Sequence, residues 1–145
     1  MKFYMPPFIL FIGLFLFSLG SVFAQDETIS SAKVAIKAGN SKELIKHFHN
    51  TVELKISANE SDGVMSNNYS KTQAEYVLKG FFKDNPPQDF VYLHQGTSKE
   101  GMKYTIGKYT YRDSTGKAVG TFRVFMKLKM YEGNYLIDEI DFSKE

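Results

Sequence analysis

The chain contains no cysteine and no tryptophan among its 145 residues. The absence of cysteine excludes disulfides, thiolate nucleophiles and zinc sites built on thiolates. It also excludes the lipid anchor of bacterial lipoproteins, which is attached to a cysteine at the cleavage site. The hydrophobic core alone must therefore stabilise the folded chain.

An excess of charge of one sign is also missing. Eighteen Lys and Arg residues are balanced by 16 Asp and Glu residues, and the formal net charge is +2. The charges are not gathered into a basic arm or an acidic tail. The composition therefore predicts neither a nucleic-acid partner nor binding to an anionic membrane surface.

The longest hydrophobic run lies near the N-terminus. Lys2 precedes an apolar segment over residues 8–19, and Val22 and Ala24 occupy the positions that signal peptidase recognises. Residues 5–24 are also long enough for a membrane span, which needs about 20 residues. However, a glycine and a serine interrupt the segment, and no Lys or Arg follows it directly. We predict a signal peptide over residues 1–24.

Cleavage there leaves residues 25–145 as an exported protein, periplasmic or secreted, without a membrane anchor. A chain of about 120 residues buries roughly two-thirds of its unfolded surface, which suffices for one domain. We therefore predict a single domain over residues 25–145.

The period of the apolar residues predicts three helices in the N-terminal half. The first covers residues 26–38, where Ile29, Ala32, Ala35 and Ile36 recur at helical spacing before Gly39 ends the pattern. Asn40 with Glu43, and Ser70 with Gln73, stand at the spacing of capping boxes that begin two further helices. The predicted buried side of the second comprises Leu44, Ile45 and Phe48, and that of the third comprises Ala74, Val77, Leu78, Phe81 and Phe82.

Alternating apolar residues predict strands over residues 51–57, 90–95, 102–112, 119–131 and 135–142. Residues 59–68 are polar and predict a loop or a loose hairpin. Within the strand over residues 102–112 the alternation changes parity at Gly107-Lys108. It changes again between Ile137 and Ile140 in the last strand. We predict a β-bulge at each place, and hence a strongly bent sheet.

The order of these elements and the closing segment over residues 133–142, Gly-Asn-Tyr-Leu-Ile-Asp-Glu-Ile-Asp-Phe, resemble the nuclear-transport-factor-2-like superfamily. Within that cystatin-like, cone-shaped superfamily, the chain is most similar to small exported bacterial domains of unknown function related to putative lumazine-binding proteins. The resemblance implies an α+β fold, in which a strongly bent antiparallel sheet of four to six strands packs on three helices. In such folds the open end of the cone is often a pocket.

Tyrosines are the first candidates for a ligand site in such a cone. Their rings can stack on a flat ligand and their hydroxyls can hydrogen bond to it. The alternative is that they form the core of the sheet, as aromatic residues do in most β-rich domains. The candidate ligand-binding residues are Tyr76, Tyr92, Tyr104, Tyr109, Tyr111 and Tyr135.

Asp138 and His94 are the candidates for acid–base catalysis. If Leu136, Ile140 and Phe142 face inward, Asp138 shares their parity and would act as a general base in the cone. The alternative is that the bulge turns it outward, or that it pairs with Arg123 or Lys127. His94 is either a pocket acid or base or an ordinary strand histidine. No metal site is predicted, because His47 and His49 do not share one helix face and, if the segment is extended so that they converge, no third ligand is apparent. No cofactor is predicted, because the sequence contains no cofactor motif.

Three functions remain open at this point. The first is a non-catalytic binder of a small molecule or a protein partner in the cone, because no convincing set of acid, base and nucleophile is present. The second is a structural homodimer with a filled cone, which would associate through the strand face that carries Arg123, Phe125, Lys127 and Lys129. The third is an isomerase or dehydratase that uses Asp138. The triplet Asp113-Ser114-Thr115 also matches an O-glycosylation pattern of exported bacterial proteins.

Overall fold

The computed structural model describes residues 27–59 and 63–145, so the predicted signal peptide lies outside the described residues. Among the described residues, no helix is both long enough and apolar enough to cross a membrane. Three helices are present: α1 over 27–38, α2 over Ser41–Leu44, which continues as a 3₁₀ turn over Ile45–His47, and α3 over Lys71–Asp84. The six strands are β1 Phe48–Asn59, β2 Gly63–Ser70, β3 Pro87–Thr97, β4 Lys103–Arg112, β5 Ala118–Tyr131 and β6 Asn134–Lys144.

The strands form one sheet in the order β2-β1-β6-β5-β4-β3. Neighbours are antiparallel except for β1 and β6, which are parallel and lie side by side next to the edge strand β2. The sheet is therefore mixed and curled, and the helices of the N-terminal half pack on one side of it. This confirms the predicted α+β fold.

Helix α1 ends as its sequence predicts. Gly39 adopts φ +66°, and the N–H groups of Gly39 and Asn40 donate to the carbonyls of Ile36 and Ala35. These two bonds form a Schellman motif, which requires a left-handed residue that glycine adopts without strain. The four apolar residues predicted on its inner side, Ile29, Ala32, Ala35 and Ile36, are all buried.

The predicted N-cap residues of the next two helices are correct, but Asn40 and Glu43 form only half of the predicted capping box. The Asn40 side chain accepts a hydrogen bond from the Glu43 N–H at 3.1 Å. Ser70 and Gln73 form a complete capping box at the start of α3. However, α2 has only four residues, and Phe48, which we predicted on its buried side, already belongs to β1.

One predicted bulge is correct and the other is wrong. In β6, Ile137 pairs with Leu128 and Glu139 pairs with Lys127, so Asp138 is the extra residue of a bulge. In β4 no bulge occurs at Gly107, since the register with β5 is continuous from Lys103 to Tyr111. Instead, the irregularity lies opposite Gly107 in β3, between Tyr92 and His94.

The sheet has an inner face, which packs on the helices, and an outer face, which does not. Buried residues of the inner face include Leu54, Phe122, Val124, Met126, Ile140 and Phe142. Because Thr105, Gly107 and Tyr109 are also buried, β4 keeps one parity, and Tyr104 and Ile106 lie on the outer face.

Candidate functional site

Aromatic side chains pack together between α3 and the inner face of the sheet. Their rings come from α3 and from three strands, with centroids between 4.5 Å (Phe81 to Phe142) and 6.5 Å (Phe82 to Phe142) apart. All are buried or nearly so. Interlocked aromatic rings leave no space for a ligand among them. We call this set the ring cluster: Phe81, Phe82, Tyr109, Phe122 and Phe142.

The six candidate tyrosines do not line one pocket. Tyr109 belongs to the ring cluster and donates a hydrogen bond to the Asn85 carbonyl. Tyr111 packs against Phe122 on the inner face. Tyr76 is 81% exposed on α3. These three tyrosines therefore occupy core and surface positions that no single ligand contacts together.

The other three tyrosines are equally separated. Tyr104 packs on Phe125 of the outer face, with ring centroids 5.9 Å apart. The Tyr135 hydroxyl donates to the Gly101 carbonyl at 3.0 Å. Tyr92 lines a groove between α1 and the edge strand β3.

Asp138 lies on the outer face, away from the interior of the cone. One carboxylate oxygen accepts a hydrogen bond from the Tyr131 hydroxyl at 3.0 Å, and the other lies 3.6 Å from Lys127 Nζ and 3.5 Å from Lys129 Nζ. The bulge therefore turns Asp138 outward, into ion pairs. It is not placed to act on a ligand inside the cone.

The Asp138 ion pairs continue across the outer face as a chain of alternating charges. Glu139 lies 3.4 Å from both Lys127 and Lys55, and Lys55 lies 3.4 Å from Glu53. Three carboxylates and three ammonium groups of β1, β6 and β5 thus neutralise one another. Consequently Lys127 and Lys129, which we predicted in a dimer face, are already paired within the chain.

The histidines are dispersed as well. His94 is exposed in β3, opposite Ile106 of the outer face. His49 stacks on Tyr131, with ring centroids 3.9 Å apart. His47 lies in the 3₁₀ turn, where burial lowers its pKa. Within residues 27–59 and 63–145, no three His, Asp or Glu side chains are grouped so that they could hold a metal ion.

The predicted modification triplet occupies the tight turn between β4 and β5. The Asp113 carboxylate accepts hydrogen bonds from the Thr115 N–H and hydroxyl, at 2.9 and 2.5 Å, and these bonds lower its pKa. Ser114 is exposed at the turn. The turn thus presents the Ser114 side chain to solvent.

The groove between α1 and β3 is a candidate site, with a volume of about 550 Å³. Its α1 wall presents one helical face, and its β3 wall presents Tyr92 and Gln95. The groove continues past Gln95 into a smaller depression of about 140 Å³ that reaches Lys103. We call it the basic groove; its lining residues are Ile29, Ser30, Lys33, Val34, Lys37, Tyr92 and Gln95.

Two contacts fix the walls of the basic groove relative to each other. The Tyr92 hydroxyl donates to the Ile29 carbonyl at 2.6 Å, and burial raises the pKa of that hydroxyl. Lys37 Nζ lies 3.4 Å from Asp89 Oδ1, which also accepts the Phe90 N–H at 2.9 Å. The groove is therefore preformed, with one contact at each end.

Sequence reasoning did not find this groove. Its two walls are about 60 residues apart in the chain, and the α1 lysines have the spacing of an ordinary solvated helix face. Tyr92 was the only signal, and the sequence does not distinguish it from the core tyrosines.

A second groove lies on the other side of Val34, between α1 and α2, with a volume of about 400 Å³. Its charges are balanced, because Lys46 Nζ lies 2.7 Å from Glu43 Oε1. Ser31, Ala35, Ala38 and His47 complete most of its lining. The two grooves thus share one helix and differ in charge.

A family model described as a domain of unknown function, DUF4783, matches residues 29–143. A DUF4783 family protein from Bacteroides ovatus is 30% identical, with a TM-score of 0.66 over 79% of this chain and 93% of that chain. One from Bacteroides fragilis is 28% identical, with a TM-score of 0.65 over 79% of this chain and 96% of that chain.

A more distant structure shows the fold alone. An NTF2-like protein of unknown function from Shewanella baltica is 11% identical, with a TM-score of 0.64 over 88% of this chain and 95% of that chain. No protein with a curated description matches. The predicted nuclear-transport-factor-2-like resemblance is confirmed, and the chain belongs to the DUF4783 family.

Proposed function

We propose that this chain is an exported, non-catalytic binding domain, and that its ligand lies in the basic groove at the rim of the cone. The observation that carries the proposal is the contrast between a cone filled by the ring cluster and a preformed groove of about 550 Å³ beside it. Ligand sites commonly have volumes of about 300–1,000 Å³, with apolar walls and a few polar groups.

The chemistry of the groove supports binding without catalysis. Its ionisable lining groups are two lysines and Tyr92, whose pKa is raised by burial. A general base needs a group that gives up its proton near neutral pH, such as a carboxylate or an imidazole. Among the described residues that line the groove, none is of that kind.

The test is native mass spectrometry of the protein purified from the envelope fraction of its own host. We expect a stoichiometric adduct of a few hundred daltons. Ser30→Trp places a large ring in the basic groove and should abolish the adduct. Ser31→Trp, one residue away in the second groove, is the matched control and should retain it. An adduct that survives in Ser30→Trp, or the absence of any adduct, would contradict the proposal.

A homodimer through the outer face is the second candidate. One half of that face carries the ion pairs of β1, β6 and β5, and the other half is apolar. Phe125 and Tyr104 pack there, and Val91 and Leu93 are 37% and 64% exposed. Exposed apolar surface of this kind marks interaction sites.

Analytical ultracentrifugation tests the dimer. We expect Phe125→Lys to yield a monomer, because it places a charge in the apolar half of the face. Tyr76→Lys, at an exposed position on α3, should leave the wild-type state unchanged. A wild-type protein that is monomeric at all accessible concentrations would refute this candidate.

A further inference from the structure

We infer that the ligand of the basic groove is a small organic anion with a flat apolar body. This inference rests on the proposed function, and it names the chemical class that the groove selects. Three properties of the groove carry it: the sign of its charge, the position of its apolar surface, and its contrast with the second groove.

The sign of the charge comes from α1. Lys33 and Lys37 are four residues apart, so they lie one above the other on the wall of the groove. Lys37 is paired with Asp89, whereas Lys33 has no ion-pair partner in the part of the chain that the structure describes. No acidic side chain is among the described lining residues. An anionic group on the ligand would complete the charge balance at Lys33.

The apolar surface lies next to these ammonium groups. Ile29 and the Tyr92 ring contribute apolar atoms, and Val34 is 69% exposed at the rim. The Tyr92 ring is held by an edge-to-face contact with Phe90, whose ring centroid is 5.2 Å away. A fixed ring beside aliphatic side chains favours a flat apolar group. Gln95 adds one amide that can both donate and accept hydrogen bonds.

The second groove shows that this arrangement is not a general property of the surface of α1. That groove also has a lysine, but Glu43 neutralises it at 2.7 Å. A ligand carboxylate would therefore be stabilised little in the second groove. In the basic groove it would pair with the ammonium group of Lys33. The two grooves thus provide an internal comparison for selectivity by charge.

Two fluorescent probes of nearly the same shape separate charge from shape: anilinonaphthalene sulfonate, which is anionic, and N-phenylnaphthylamine, which is neutral. We expect the anionic probe to bind at least about tenfold more tightly. Raising the salt concentration should weaken the anionic probe and not the neutral one, because salt screens exposed charges.

Variants locate the effect. Lys33→Gln should weaken the anionic probe severalfold and leave the neutral probe unchanged. Lys46→Gln, in the second groove, is the matched control and should change neither. Ser30→Trp should block both probes, which assigns their binding to the basic groove.

The outcomes distinguish a groove without a preference for anions from a groove that binds no ligand. If both probes bind with equal affinity and Ser30→Trp blocks both, the groove binds ligands and the preference for an anion is refuted. If Ser30→Trp leaves the binding of both probes intact, or neither probe binds, the basic groove is not the site and both proposals fail.

Discussion

At the scale of single residues, Gly107 explains why β4 keeps a continuous register with β5 where a bulge was predicted. The residue faces inward, and a Cβ atom there would lie 2.6 Å from the Phe90 ring and 3.0 Å from the Val91 carbonyl oxygen. Gly107 therefore takes an inward position without a side chain, and the Phe90 ring of β3 occupies the space beside it. The apparent change of parity in the sequence arises because this inward position has no apolar side chain.

Substitution of this glycine should be costly. We expect Gly107→Ala to lower the free energy of unfolding by about 1–3 kcal/mol, because the core cannot accept the extra methyl group without moving Phe90. Gly80→Ala is the control, since no atom lies within 4 Å of the added Cβ, and it should raise the stability by about 1 kcal/mol through helix propensity. Urea-induced unfolding measures both. Equal effects of the two substitutions would contradict this explanation.

Thr105 places a polar hydroxyl group among the apolar side chains of the inner face. Its hydroxyl is buried on the inner face and has no hydrogen-bond partner among the described residues. Thr105→Val keeps the shape and removes the unsatisfied group, so we expect a gain of about 1 kcal/mol in the free energy of unfolding. A loss of stability would show that the hydroxyl has a partner in solution. Thr110→Val, at a half-buried position of the same strand, is the comparison.

His47 makes the stability depend on pH. Burial lowers its pKa in the folded protein below the ordinary value of 6.5, so the unfolded chain binds the proton more readily. Stability should therefore decrease as the pH falls from neutrality through 6.5 toward the folded-state pKa. In His47→Gln that part of the decrease should be absent. Thermal unfolding midpoints measured across this pH range in both proteins test the effect.

At the scale of elements, the two edge strands limit their own pairing with other chains. In β3 the Phe90 N–H donates to the Asp89 side chain, and in β2 the Asn68 N–H donates to the Asn67 side chain at 2.9 Å. An edge strand with free N–H groups is a template for aggregation. In each edge strand, the side chain of the preceding residue accepts a hydrogen bond from one backbone N–H group and so caps it.

Removing such a cap should expose the edge. We expect Asp89→Ala to increase the rate of aggregation, measured by light scattering during mild heating. Asp89→Asn retains an acceptor for the Phe90 N–H and loses only the ion pair with Lys37, so it should aggregate like the wild type. If Asp89→Asn aggregates as fast as Asp89→Ala, the ion pair rather than the cap limits aggregation.

The helices could be predicted from the sequence because their signals are local. Gly39 and the Ser70–Gln73 box act within a few residues of the helix ends that they determine. The bulge at Asp138 was also predictable, since apolar residues mark both sides of it. The absence of a bulge at Gly107 of β4 was not predictable, because the Phe90 ring that occupies the space beside Gly107 comes from another strand.

At the scale of the whole molecule, the sequence predicted the architecture but not the site. The sequence made Tyr92 and Tyr109 equal candidates for a ligand site or for the core, and it did not show that Phe81 fills the space around Tyr109 while the space beside Tyr92 stays open. That difference depends on how α1 and α3 lie on the curled sheet. It arises from packing between distant segments.

The centre of the sheet should couple all of its strands. Ile140 of β6 is buried opposite Leu54 of β1 and Met126 of β5, so it contacts both halves of the chain. We expect Ile140→Ala to cost about 2–5 kcal/mol through the cavity it leaves. Circular dichroism and tyrosine fluorescence should still report one coincident transition. Two separate transitions would show that β3–β5 unfolds as an independent unit.

The parallel pair of β1 and β6 has a consequence for the order of folding during synthesis. A chain emerges from the ribosome with its N-terminus first, and β6 emerges after the other five strands. Strand β1 can form its hairpin with β2 early, but its other edge lacks its partner until β6 has emerged. Because residues so far apart in sequence must pair within one sheet, the sheet cannot be completed before β6 is available. The nascent domain therefore remains open, and accessible to chaperones, until β6 has been synthesised.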